Sequence, residues 1–141
     1  MAITQLSTFL ENRPGRLSEL TEVFNKNGVD IKSLCIAETT KYGVLRMIVK
    51  EPEKTAEILK ANGFTAMLGD VVAVLVKDEP GGLNALLQCF GKEGLSIEYM
   101  YDFIGSLKEN NACVVIKASS NEKAEKIAVE NGFELLSEND L

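Results

Sequence analysis

The chain has 141 residues, of which 45% are hydrophobic and 26% charged, a balance that is ordinary for a soluble globular protein. Its formal net charge of −6 argues against a nucleic-acid partner, because phosphate binding requires a basic surface. The chain contains no histidine, which removes the commonest general base and metal ligand and excludes zinc-finger, Ser-His-Asp and Cys-His sites. We expect no metal and no cofactor.

The cysteines and the hydropathy pattern indicate where the protein resides. Cys35, Cys89 and Cys113 are an odd number without CxxC spacing, so we expect small buried residues in a reducing compartment. No apolar run approaches the roughly 20 residues of a membrane span. The first residues lack the basic and apolar regions of a signal peptide. We therefore expect a cytoplasmic protein with no membrane partner.

The first half of the chain predicts elements in the order β-α-β-β-α-β. A strand over 3–10 leads to a loop in which Pro14 is expected to open a helix, since the N–H that proline lacks is unpaired there anyway. This helix carries apolar residues at i, i+3 and i+7 and ends at Gly28. The remaining elements are strands over 29–37 and 44–50, a helix from Pro52 to Asn62-Gly63, a strand over 64–68 and Gly69-Asp70 as the linker.

The second half repeats the first. Pro14-Gly15 returns as Pro80-Gly81, and Asn62-Gly63-Phe64 returns as Asn131-Gly132-Phe133 at a slightly longer spacing. A repeat this long indicates a duplicated domain, and the slip of three residues indicates an insertion, expected within 104–111. The predicted elements are strands over 71–76, 95–103, 112–118 and 133–136, helices ending at Gly94 and spanning 122–130, and a frayed tail over 137–141.

This order predicts the fold. Each half is expected to form a ferredoxin-like α+β sandwich, with both helices on one face of an antiparallel sheet. The domains are 1–69 and 70–141. Right-handed crossovers place the first and third strands of each unit in the centre and the second at an edge.

The loop and helix of the first unit resemble a known family. The string Glu11-Asn12-Arg13-Pro14-Gly15-x-Leu17 after a strand, with a helix ending in Gly28-Val29-Asp30-Ile31, is similar to the ACT domain, a small ligand-binding regulatory module. The local string is most similar to the regulatory domain of phosphoglycerate dehydrogenase, which binds serine. The resemblance covers essentially the whole chain as two ACT domains without an attached catalytic domain.

The resemblance implies a ligand site. In that family an amino acid binds between the loop before the first helix and the start of the second strand, usually at an interface between two ACT domains. Carried over, Asn12 matches a side chain that contacts the ligand, and Asp30 falls where such domains often place an asparagine. Leu10 occupies the position of an upstream histidine, which puts serine itself in doubt as the ligand.

The chemistry of these residues agrees with that location. A helix N-terminus favours a carboxylate, and Arg13 and Arg16 add positive charge there. Gly15 permits close approach of a ligand, and Asp30 can accept from an ammonium group. The candidate ligand-binding residues are Asn12, Arg13, Pro14, Gly15, Arg16, Leu17, Asp30 and Ile31.

The second unit carries a different set of residues. Its candidate ligand-binding residues are Asp78, Glu79, Pro80, Gly81, Gly82, Leu83 and Ser96. This loop is acidic and would repel a carboxylate at close range. The two sites are therefore expected to differ in ligand or affinity, or the second is vestigial.

The leading functional hypothesis is a non-catalytic regulatory module that binds a free amino acid or a similar small metabolite. We expect a homodimer that signals to a regulated enzyme or regulator, with no catalytic residue. One alternative is a protein-interaction or oligomerisation module without a ligand. Another is a small acylphosphatase-like hydrolase that uses Arg13 or Arg16, although no general base supports it.

Overall fold

The computed structural model describes residues 2–38, 41–103 and 108–141. Contacts divide the chain into two compact units. The first unit is Thr4–Gly69, and the second unit joins the beginning of the chain, up to Ile3, to Asp70–Leu141. The insertion predicted within 104–111 falls half outside the described residues.

The first unit is built from an antiparallel sheet and two helices. The elements are β1 (Ile3–Glu11), α1 (Arg16–Lys26), β2 (Ile31–Glu38), β3 (Tyr42–Val49) and α2 (Pro52–Ala61). The strand β3 pairs with both β1 and β2, for example Leu10 with Gly43 and Ile36 with Leu45, so the order is β2-β3-β1.

The core of the first unit lies between the sheet and its helices. Alternate residues of β1 and β3 point to this side, because side chains alternate across a strand. Leu20 and Phe24 of α1, four residues apart on one face, meet them there, as do Ala56 and Leu59 of α2. The buried cluster comprises Leu6, Leu10, Leu20, Phe24, Leu45, Met47, Val49, Ala56, Leu59 and Phe64.

The second unit has the strand arrangement that the sequence predicts. Its elements are β4 (Met67–Lys77), α3 (Gly82–Lys92), β5 (Ile97–Asp102), β6 (Asn111–Ala118), α4 (Asn121–Glu130) and β7 (Glu134–Leu135). The first strand, β4, pairs with β6 and β7, and β6 pairs with β5, so the first and third strands are central and the second lies at an edge. The unit has its own buried cluster, which includes Val72, Val74, Leu86, Phe90, Ile116 and Ile127.

Three local predictions are wrong. Pro14 does not open α1, which begins at Arg16 after a turn. The residues Gly69-Asp70 are not a linker, because β4 runs without interruption from Met67 to Lys77 and the expected strand over 64–68 starts three residues late. The tail is not frayed but forms a 3-10 turn at Glu138–Asp140, where Ser137 and Asp140 cap each other. Hydrogen bonds from the backbone and side chain of Ser137 lower the pKa of Asp140.

Candidate ligand-binding site

A pocket of about 430 Å³ lies beside the loop of the first unit. Because β1 and β2 both run antiparallel to β3, they run parallel to each other, and their C-terminal ends meet at one edge of the unit. Nδ2 of Asn12, just after β1, accordingly donates to Oε1 of Glu38, the last residue of β2, at 3.3 Å. The lining residues are Leu10, Glu11, Asn12, Arg13, Leu17, Ile36, Glu38 and Gly43.

The loop is shaped by a type II turn. The N–H of Arg16 donates to the carbonyl of Arg13 at 3.3 Å, with Pro14 and Gly15 as the two central residues. Gly15 has φ 83° and ψ −10°, the values that a type II turn requires at its third position. A Cβ at Gly15 would have nothing within 4 Å, so glycine is needed here for its backbone conformation and not for space.

The two arginines of the loop are held by carboxylates. Arg13 contacts both oxygens of Glu19 at 3.2 Å through its two terminal nitrogens. Nη1 of Arg16 also donates to Glu19, at 2.9 Å, and Nε of Arg16 lies 2.6 Å from Oε2 of Glu11. The contact between Arg16 and Glu11 is an ion pair.

These contacts have electrostatic consequences. The hydrogen bond to Glu19 raises the pKa of Arg16, and hydrogen bonds from Arg13 and then Arg16 lower the pKa of Glu19. The guanidinium carbon of Arg16 lies 4.0 Å from the centroid of the Phe64 ring, a cation–π contact. Arg16 thus turns toward Phe64 and does not line the pocket, whereas Arg13 does.

Asp30 and Ile31 lie at the opposite end of β2 from this pocket. The eight residues of β2 separate them from Glu38 by roughly 25 Å. Oδ2 of Asp30 forms an ion pair with Nζ of Lys32 at 2.7 Å. Asp30 also lines a separate depression of about 80 Å³. A single unit therefore does not bring Asp30 and Asn12 to one ligand.

The second unit has a larger cleft at its loop, of about 540 Å³. The loop residues Glu79–Gly82 line it, but its other walls come from β4, from α3 and from the segment after α4. Asp78, Leu83 and Ser96 of the predicted set are not among its lining residues. The backbone of Ser96 instead bonds Ser119: its N–H donates to Oγ at 3.3 Å and its carbonyl accepts from the N–H at 2.9 Å.

Sequence reasoning missed several lining residues. In the first unit these are Leu10, Glu11, Ile36, Glu38 and Gly43, and in the second they include Lys77, Asn111 and the segment 131–134. The first group was detectable, because parallel β1 and β2 must end at the same edge. The position of the segment 131–134 in the second unit depends on how far β7 extends along β4, which the sequence pattern does not specify.

The two units each combine two helices with an antiparallel sheet and have a Pro-Gly turn before the first helix, which defines a tandem pair of ferredoxin-like domains. The chain belongs to the ACT domain family: the family described as "ACT domain pair" matches residues 1–141. None of the curated proteins matches the chain.

Solved structures share the fold over nearly the whole chain. The protein BT0572 from Bacteroides thetaiotaomicron is 41% identical with a TM-score of 0.91, over 99% of this chain and 95% of that chain. The ligand-free regulatory subunit of aspartate kinase from Thermus thermophilus is 18% identical with a TM-score of 0.67, over 92% of each chain. The corresponding subunit from Thermus flavus is 17% identical with a TM-score of 0.62, over 91% of each chain.

The described part of the chain was also searched for membrane-spanning helices and for metal-binding groups. In residues 2–38, 41–103 and 108–141, no helix is both long enough and apolar enough to cross a bilayer. Over the same ranges, no group of cysteine, aspartate and glutamate side chains is arranged to hold a metal ion.

Proposed function

We propose that this ACT domain pair is a non-catalytic regulatory module that binds a free amino acid or a similar small metabolite in the pocket of the first unit. The supporting observation is the pocket itself, which is lined by the polar side chains of Asn12, Arg13 and Glu38 together with the apolar side chains of Leu17 and Ile36. We further propose that the domain boundaries are 1–69 and 70–141.

The polar side of the pocket suits a zwitterion. Glu38 carries a carboxylate that accepts from Asn12 and is available to an ammonium group, while Glu11 is already held by Arg16. The first turn of α1 supplies N–H groups and the positive end of the helix dipole for a carboxylate. Leu17 and Ile36 provide contact for an apolar side chain.

The position of Asp30 supports a site completed by a second ACT domain. Asp30 lies at the other end of β2 from Asn12, so both can touch one ligand only when they come from two domains. Leu17, Leu34 and Ile36 form an exposed apolar strip along α1 and β2, with 38%, 36% and 44% of each residue accessible. A second copy of the chain would cover this strip, and we therefore propose a homodimer.

Occupancy of such a site would regulate by linkage. A ligand that contacts both domains binds the paired arrangement more tightly than the separate one and therefore shifts the equilibrium between them. The proposed output is a change in an enzyme or regulator that the dimer contacts. The fold is one that regulatory subunits of aspartate kinase also have.

Two observations weigh against the hydrolase alternative. Arg13 and Arg16, the arginines that it requires, are both ion-paired with Glu19. Burial raises the pKa of the Cys113 thiol to about 12, which leaves it a poor nucleophile at neutral pH.

The test is a thermal-shift screen of the whole chain against each of the twenty free amino acids. A ligand that binds only the folded protein raises the melting temperature by mass action. We expect one or a few amino acids to do so, with the shift lost in Asn12→Ala and in Asp30→Ala and retained in Asn25→Ala, an exposed asparagine of α1. If no amino acid shifts the wild type, the proposal fails, and a stable dimer without ligand would identify an interaction module.

A further inference from the structure

The loops before α1 and α3 have the same backbone. In both, the N–H of the residue that begins the helix donates to the carbonyl three residues earlier, at 3.3 Å before α1 and at 3.0 Å before α3. The central glycines also agree, with φ 83° and ψ −10° at Gly15 and φ 89° and ψ −11° at Gly81. The turn and the helix start are therefore built in the same way in both units.

The charged network of the first loop is not needed to build it. In the alignment of the two copies, the residues that correspond to Arg13, Arg16 and Glu19 are Glu79, Gly82 and Ala85. The second set cannot form the same ion pairs, because it contains one carboxylate and no cation. The helix that follows is nonetheless 11 residues long in both units. The second unit thus serves as an internal control, and it indicates that the network has a role other than shaping the loop.

The two arginines of the network are held very differently. The Arg16 side chain is only 16% accessible, lies over the ring of Phe64 and pairs with Glu11 as well as Glu19. The Arg13 side chain is 49% accessible, and among the described residues its guanidinium pairs with Glu19 alone. If Arg13 moves away, Glu19 keeps its contact with Nη1 of Arg16 at 2.9 Å. Arg13 can therefore change partner without leaving Glu19 unpaired.

Arg13 is also the arginine that lines the pocket of the first unit. Its two terminal nitrogens form a fork, a geometry that matches the two oxygens of one carboxylate. Glu19 occupies this fork with both of its oxygens, each at 3.2 Å. A ligand carboxylate that uses the same two nitrogens must displace Glu19, since two carboxylates in one fork would repel each other.

We propose that Glu19 is an internal competitor for Arg13: its carboxylate holds the arginine in the absence of a ligand, and the ligand carboxylate takes its place. The exchange costs little, because an exposed ion pair contributes little stability and Glu19 retains Arg16. Glu19 thus sets the affinity of the site without contacting the ligand. This inference rests on the proposed function, because it requires a carboxylate ligand in the pocket of the first unit.

The experiment is calorimetry of the whole chain with the amino acid that gives the largest thermal shift. It compares five proteins: wild type, Glu19→Gln, Arg13→Gln, the double variant of these two, and the control Glu22→Gln. Glu22 is exposed on the same helix and pairs with Lys26 at 3.8 Å, so its variant removes the same charge from α1 without affecting Arg13. Glu19→Gln is expected to fold, because α3 forms with Ala85 at the equivalent position.

Removing the competitor should tighten binding. Glu19→Gln should lower the dissociation constant about two- to fivefold, whereas Glu22→Gln should leave it at the wild-type value. Arg13→Gln should raise the dissociation constant, and adding Glu19→Gln to it should bring no gain, because the two residues act on the ligand as a pair.

The opposite results would overturn the inference. An unchanged or larger dissociation constant in Glu19→Gln would show that Glu19 is neutral or positions Arg13 for the ligand. A gain that Glu22→Gln shares, or that persists in the double variant, would come from the charge of the helix and not from Arg13.

The failure of the proposed function is a separate outcome. If no amino acid binds any of the five proteins, the proposed function fails, and inorganic phosphate then serves as the anion in the same titrations. Tighter phosphate binding by Glu19→Gln than by Glu22→Gln would retain Glu19 as the competitor for Arg13. Equal phosphate binding by these two variants would remove it.

Discussion

Replacing Gly82 by alanine should destabilise the second unit strongly for so small a change. The new Cβ would stand 1.9 Å from the carbonyl oxygen of Lys77, whereas carbon and oxygen in contact are about 3.3 Å apart. The turn must therefore move by roughly 1.4 Å away from β4, although the N–H of Gly82 is bonded to the carbonyl of Glu79 at 3.0 Å. Overpacking of this kind costs about 1–3 kcal/mol.

Thermal unfolding measures the effect, and the same helix supplies the control. At about 4 °C per kcal/mol for a chain of this size, Gly82→Ala should lower the melting temperature by about 4–12 °C. Gly91, near the end of α3, has nothing within 4 Å of the position that a Cβ would take, so Gly91→Ala should stabilise by about 0.5–1 kcal/mol. A Gly82→Ala protein as stable as the wild type would show that the turn is not packed against β4 in this way.

Three further outcomes are expected. Glu38→Gln should raise the dissociation constant of the first-pocket ligand about tenfold by calorimetry, with Glu57→Gln on the exposed face of α2 as the control, because a neutral amide pairs poorly with an ammonium group. The Cys113 thiol should resist alkylation at pH 8 until the protein is unfolded, since burial holds its pKa at about 12. Because the unfolded thiol ionises first, the stability contributed by this residue should be complete below about pH 8.5 and fall as the pH rises toward 12, a decline that Cys113→Ala should reduce.

The repeat and the periodicity of the chain are sufficient to predict the order of the elements, apart from the two expected strands that form the single strand β4, and the central strands of the second unit. Leu20 and Phe24 face the core because a helix brings residues four apart to one side. The C-terminal ends of β1 and β2 meet because both strands pair with β3. These relations depend on hydrophobic pattern and chirality, which a single sequence contains.

The wrong predictions at Pro14 and at Gly69-Asp70 arise because short local sequences are compatible with more than one backbone conformation. Pro-Gly is compatible both with a helix start and with a type II turn, and the positive φ of Gly15 that decides between them depends on the hydrogen bond from Arg16 to Arg13. Gly69-Asp70 resembles a linker because glycine and aspartate are both depleted in strands, but β4 runs through these residues, so the tertiary structure overrides the local tendency.

The site residues illustrate the same limit. The position of Arg16 in the loop suggests a ligand contact, but its ion pairs with Glu11 and Glu19 and its contact with Phe64 are tertiary contacts that the sequence does not reveal. From the sequence, Gly82 is a candidate ligand-binding residue of the second loop. Only the distance to the carbonyl of Lys77 shows why no side chain fits there.

The central claim is that a bound amino acid biases the assembly of this ACT domain pair. Sedimentation velocity of the whole chain, with and without the amino acid that gives the largest thermal shift, tests it most directly. The account predicts that the ligand increases the dimer fraction at a fixed protein concentration, and that Asn12→Ala removes the increase without changing the ligand-free distribution. A dimer fraction that is the same with and without saturating ligand would contradict it.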